Sequence, residues 1–319
     1  MLARVADDLY WLGRYLQRAE NTARLVAVNG NLQLDLPRGL RTGWAPLVDI
    51  VGAQACFRAL YSQAQESEVV RFLMLDERHP GSMLASLSRA REILRSVRGA
   101  VPNEMWERLN ELYWFVRADG ERALSPRGRP EFLARLVDGC LALTGILVCS
   151  MSRDLAFQFV RIGANLEQAD MTTRIVDVRS TSLIEGVASE QLAPFADIQW
   201  MSVLRSLDAY QMYRRHARMR VTGVPVLRFL LQDREFPRSV SFCLQRIDRA
   251  LLKLPAQRPV TQALARVAAL LRDADLEALI RTGLSGFLDE VQIGLGVLHD
   301  AIHAAYFRRD ANPSDLLRS

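Results

Sequence analysis

Apolar residues recur at three- and four-residue spacing over most of the chain, while strict alternation and β-branched clusters are scarce. This pattern predicts helices almost throughout and an all-α fold. Glycine, proline and other turn formers gather at Pro37–Gly43, Pro80–Ser82, Asp119–Pro130, Ser180–Pro194, Thr222–Pro225 and Pro237, leaving segments of helical length between them. Ser82 and Ser239 each stand two residues after a proline and before an apolar-periodic run, the position of an N-cap. The most apolar run, GCLALTGILVCSM (Gly139–Met151), has 13 residues between Asp138 and Arg153. It is too short to span a bilayer and predicts a buried core helix.

The pattern repeats. LYWLGRYLQRAENTARLVAV (Leu9–Val28) returns 150 residues later as FVRIGANLEQADMTTRIVDV (Phe159–Val178), matching Gly13 with Gly163, Ala19 with Ala169, Glu20 with Asp170, Thr22 with Thr172 and Arg24 with Arg174. A second block pairs Trp44 with Trp200 and Phe57 with Tyr213; a third pairs Arg71 with Arg228, Phe72 with Phe229, Asp76 with Asp233, Pro80 with Pro237 and Ser82 with Ser239. Collinear matches at slowly growing offsets predict a duplicated multi-helix unit with pseudo-twofold symmetry: a first helical repeat over 1–152 and a second over 153–319, packed as one large helical domain.

On a helical wheel the first copy divides into a core side, with Val5, Leu9, Leu12, Leu16, Ala19 and Ala23, and a polar side, with Asp7, Tyr10, Arg14, Gln17, Arg18, Asn21 and Arg24. A solvated face with i,i+4 charge pairs is the ordinary reading of the second set. The second copy keeps charge at Glu167, Asp170 and Arg174, which favours either a buried ion network or a ligand or partner surface built from Tyr10, Arg14, Arg18, Asn21, Arg24, Asp170 and Arg174. Should the chain be an enzyme, Glu20 and Glu167 are the candidate acid/base groups.

Composition adds limits. Half the residues are hydrophobic and 24% charged, as in folded soluble proteins. The net charge of +5 permits acidic partners without demanding them, and the near-exclusive use of arginine among 41 basic residues is better explained by a GC-rich coding genome than by nucleic-acid contacts. Cys56, Cys140, Cys149 and Cys243 have no CxxC spacing and read as buried free thiols of a reducing cytoplasm. Met1–Asp8 carries Arg4, Asp7 and Asp8, so no secretory leader is expected.

The opening MLARVADDLYWLGRYLQRAENTARLV, the later LEQADMTTRIVDV and the block RFLLQDREFPRSV resemble the bacterial alpha-E family, helical proteins named for a Glu-Arg motif, over essentially the whole chain. In that family the motif reads Leu-Glu-Arg-Ala followed by an acidic residue; here the first copy has Gln17-Arg18 and the second Glu167-Gln168, so each keeps half of the pair. The resemblance implies a cytoplasmic component of a peptide-forming or peptide-modifying system whose partners are a circularly permuted ATP-grasp protein and a transglutaminase-like protein.

The other motifs carry less. No P-loop or glycine-rich phosphate loop is present, and no cofactor is expected. HDAIH places His299 and His303 at i,i+4, but without the glutamate of HExxH or a third ligand it predicts no metal site. RRHARMR (Arg214–Arg220) is suited to phosphate or an acidic tail, or equally to a helix C-terminus. GLSGF (Gly283–Phe287) is not a nucleophile elbow. No motif supports sequence-specific nucleic-acid binding, and no membrane association is expected. The leading expectation is an accessory or substrate-binding subunit that holds an acidic peptide, a phosphorylated ligand or the ATP-grasp partner. The alternatives are an enzyme of the same system with a Glu/Arg cleft between the repeats, and a purely structural helical adaptor. If the two copies meet across the pseudo-axis, Arg18 and Glu167 are expected to complete one Glu-Arg pair, with Glu20, Arg24, Asp170 and Arg174 joining them in a network.

Overall fold

A computed structural model describes residues 1–37, 43–187, 196–216 and 221–307. The described residues form fifteen α-helices and a single 3-10 turn at Arg98–Ala100, with no strand among them. The first seven helices are α1 (Ala3–Asp35), α2 (Ala45–Ile50), α3 (Gln54–Leu60), α4 (Glu66–Met74), α5 (Met83–Ser96), α6 (Asn103–Ala123) and α7 (Arg129–Ser150). They are followed by α8 (Leu155–Val187), α9 (Ala196–Ser206), α10 (Tyr210–His216), α11 (Gly223–Leu231), α12 (Val240–Leu251), α13 (Arg258–Asp273), α14 (Leu276–Thr282) and α15 (Leu284–Tyr306).

The two 33-residue helices α1 and α8 pack on each other at the centre, and the other long helices surround them: α5 and α7 lie against α1, and α12 and α15 against α8. One continuous apolar core runs through all of these elements. The α1/α8 contact is close because both helices lack a side chain where they cross. A Cβ on Gly13 would lie 2.2 Å from the Val160 carbonyl oxygen, and one on Gly163 would lie 2.0 Å from that of Tyr10. Each glycine thus admits the backbone three residues before the other.

Matched residues have matched environments. Trp44 and Trp200, Phe57 and Tyr213, and Phe72 and Phe229 are all buried. The carboxylate of Asp76 accepts from the Arg78 amide at 3.0 Å and that of Asp233 from the Glu235 amide at 2.8 Å, closing the same turn before α5 and α12. Both expected N-caps form: the hydroxyls of Ser82 and Ser239 accept from the amides of Ala85 and Phe242, each at 3.1 Å.

Several expectations need correction. The Gly139–Met151 run is not a buried core helix. It belongs to the 22-residue α7, which buries the stripe Leu133, Leu136, Cys140, Leu143 and Leu147 and leaves Leu141, Val148 and Cys149 exposed. Among the described helices, α7 alone is long and apolar enough to cross a membrane by length and composition. The thiols divide likewise: Cys140 and Cys243 are buried, Cys56 is partly buried and Cys149 is exposed. Helix α8 runs on through the break expected at Ser180, to Val187. Residues 38–42, 188–195 and 308–319 lie outside the described residues, as does the 217–220 part of the RRHARMR run.

Candidate functional site

The polar stripes of α1 and α8 do not face solvent. Tyr10, Arg14, Glu20 and Asn21 on α1 and Glu167 on α8 are all buried, while Arg18, Arg24, Asp170 and Arg174 are partly buried. With Gly13 and Gly163 bringing the backbones together, side chains one turn further on must meet, and their polar groups pair because an unpaired buried charge is costly.

Arg18 and Glu167 form the expected pair: Arg18 Nε donates to Glu167 Oε1 at 2.6 Å and its terminal nitrogen to Oε2 at 2.9 Å. A second guanidinium joins them, Arg14 Nε donating to Oε2 at 2.7 Å. Burial alone would raise the Glu167 pKa, but the charges and hydrogen bonds of Arg18 and Arg14 outweigh it and hold the carboxyl down at about 2. Arg14 in turn donates to the Tyr10 hydroxyl at 3.3 Å, and that hydroxyl is hydrogen-bonded to His299 Nδ1 at 2.7 Å. Burial and the neighbouring Arg14 hold the His299 pKa below the usual value, and burial pushes the Tyr10 phenol up to about 12. His299 is therefore part of the buried network and not a surface histidine. Among the described residues no group of three or more His, Cys, Asp or Glu is arranged for a metal ion.

A second cluster lies around Glu20. Arg24 Nε donates to Glu20 Oε1 at 3.0 Å, and Arg238, from the turn before α12, donates to the same oxygen. Arg238 also donates to Asn21 Oδ1 at 3.1 Å and to Gln168 Oε1 at 2.9 Å, while Gln17 donates to Asn21 at 3.2 Å. At Gln168, which holds no charge, Arg238 supplies the guanidinium, and Gln17 reaches the same cluster through Asn21. Arg238 escapes a search of the repeat because its matched position is Gly81; its one signal is its place within RFLLQDREFPRSV.

The expected single network is in fact divided. Asp170 and Arg174 pair with each other at 3.0 Å and not with Glu167, and the Glu20–Arg24–Arg238 cluster is separate from the Glu167 cluster. The reason is the reach of an i,i+4 pair: Arg24 and Arg174 fold back onto the carboxylates one turn before them. Beyond the last turn of these clusters, Arg179 donates to Asn29 at 2.7 Å, joining the helices between positions that are themselves 150 residues apart.

Chemically, a carboxylate held at about pKa 2 and closed in by two guanidiniums is neither a proton donor nor an available base near neutral pH. The arrangement is that of a lock between two helices.

Uncharacterised proteins of Mycobacterium bovis and Mycobacterium tuberculosis are 25% identical to this chain over 324 residues, 92% of the chain but 35% of each relative, so the chain spans about a third of their length. No solved structure matches it. The alpha-E model, described as a predicted alpha-helical domain with a conserved ER motif, matches residues 1–307. Arg18 and Glu167, from Gln17-Arg18 and Glu167-Gln168, are split in sequence and joined in space, and the chain belongs to the Alpha-E family.

Proposed function

We propose that this chain is a non-catalytic accessory or substrate-binding subunit of a cytoplasmic, ATP-grasp-linked peptide-ligation system, built from two helical repeats related by a pseudo-twofold axis through the α1/α8 crossing. The observation that carries the accessory reading is the enclosure of Glu167: its carboxylate is consumed in holding α1 to α8 through Arg14 and Arg18, so it is not free to act as an acid or base. The reciprocal contacts of Gly13 and Gly163 support the duplication, as do the matched caps at Ser82 and Ser239. The link to an ATP-grasp protein, a transglutaminase-like protein and an acidic peptide or phosphorylated ligand rests on the family resemblance. Neither a membrane nor sequence-specific nucleic acid enters this reading: Leu141 and Val148, exposed on α7, line a cleft, and the sequence carries no nucleic-acid-binding motif.

The test is reconstitution. The chain is combined with its ATP-grasp neighbour, ATP and candidate amino acids, and ATP consumption and amide products are followed with each component omitted. Turnover is expected to require the ATP-grasp protein and to be raised by this chain. Turnover by this chain alone, or no effect of adding it, rejects the accessory role.

A further inference from the structure

A cleft of about 220 Å3 opens beside the Glu20 cluster, between α1, α7, α8 and the turn that carries Arg238. Its apolar wall includes Phe157 together with Leu141 and Val148, which are 43% and 46% exposed. Its polar floor includes Gln17, Glu20, Gln168 and Arg238, and the single negative charge there, Glu20, is already shared by Arg24 and Arg238.

Two further guanidiniums line this cleft, Arg161 of α8 and Arg246 of α12, and neither forms an ion pair with any described carboxylate. The charged groups acting on Arg161 are the cations Arg246, Arg249 and Arg153. Burial, and then these like charges, push the Arg161 pKa down to about 10. Its Nε is buried without a hydrogen-bond partner among the described residues. The contrast within the molecule is sharp. In the larger cleft of about 640 Å3 along the C-terminal half of α1, Arg24, Arg129 and Arg205 each have a carboxylate, from Glu20, Glu66 and Asp35. Gathering like charges at a partly buried surface opposes folding, whereas an arriving oxyanion gains the forked, charge-assisted hydrogen bonds that guanidiniums make best.

We propose that this cleft binds the free carboxylate of a short peptide, Arg161 and Arg246 gripping the oxyanion while Leu141, Val148 and Phe157 cover the apolar side chain beside it. The proposal deepens the substrate-binding reading but rests on the cleft itself and needs no ATP-grasp partner, so either one fails without the other.

The experiment uses the full chain, isotope-labelled, and follows its amide resonances during titration with acetyl-alanyl-leucine, its carboxamide and phenyl phosphate. Acetyl-alanyl-leucine is expected to saturate, shifting residues around Arg161 and Arg246, with the carboxamide at least roughly tenfold weaker. Arg161→Met and Arg246→Met should each weaken the acid by roughly tenfold or more, with thermal stability unchanged or raised because like-charge repulsion is relieved. Val148→Asp, at an exposed position, should abolish binding while leaving the fold intact. Phenyl phosphate binding with the same arginine dependence, and more tightly than the peptide acid, overturns the carboxylate assignment in favour of a phosphate. The site itself is overturned if neither anion saturates, if the carboxamide binds as well as the acid, or if binding survives the arginine variants or Val148→Asp.

Discussion

Glu167 illustrates how two opposing effects are decided by geometry. Its burial favours the neutral acid, but Arg18 and Arg14 each place hydrogen-bonding nitrogens within 2.9 Å, and the ion wins. Because two guanidiniums serve one carboxylate, the members of the cluster are unequal. Glu167→Gln strands both arginines and should cost about 3–5 kcal/mol, the penalty of breaking a buried pair. Arg18→Met leaves Arg14 in place and should cost markedly less. Denaturant unfolding of Arg14→Met, Arg18→Met, Glu167→Gln and their combinations checks this: the triple variant should be less destabilised than Glu167→Gln alone, and strictly additive effects contradict the cluster. His79 provides a separate, pH-dependent signature. It is buried, stacks on Phe72 at 4.2 Å between ring centroids, and lies near Arg18 and Asp76; burial and then Arg18 push its pKa from 6.5 to about 4. The unfolded chain therefore binds the proton more readily, so this histidine's contribution is fully present above pH 6.5 and is lost as pH falls towards 4. Unfolding measured across that window should show a decline that is weaker in His79→Gln; an equal decline in both proteins contradicts the assignment.

At the scale of elements, the crossing of α1 and α8 is the contact on which the others depend. Gly13→Ala and Gly163→Ala each drive a methyl into a backbone carbonyl, at 2.2 Å and 2.0 Å, which no rotamer change relieves. Overpacking of this kind costs about 1–3 kcal/mol or more, and thermal unfolding of the two variants should show comparable losses. A neutral result at either glycine contradicts the close approach. Much of this level was legible in the sequence: the helical period, the N-caps at Ser82 and Ser239, and the Arg18–Glu167 pair all follow from spacing and from the repeat. Other features were hidden for physical reasons. The exposed face of α7 was missed because an apolar run is the same string of letters whether it faces a core or a cleft. Arg238 and His299 were missed because long-range side-chain meetings across more than 200 residues leave no periodic trace. The division into two clusters follows from rotamer reach, which spacing does not encode.

For the whole molecule, the lock around Glu167 and the cleft beside Glu20 lie along the same pair of helices, α1 and α8. Around Glu167 the polar groups are closed on each other, whereas beside Gln17 and Gln168 Arg238 joins Gln168 to Glu20 and the neighbouring cleft is lined by Arg161 and Arg246. The state of the Glu167 carboxyl separates this account from an enzymatic one most directly. A carbon-detected NMR titration of the side-chain carboxyls of the full chain, with the Glu167 resonance identified by its loss in Glu167→Gln, should place its midpoint at about 2, well below the ordinary value of 4.5. A midpoint within one to two units of neutrality, about 5 to 7, would be that of a poised general acid or base, and would contradict the account of Glu167 as the centre of a structural lock.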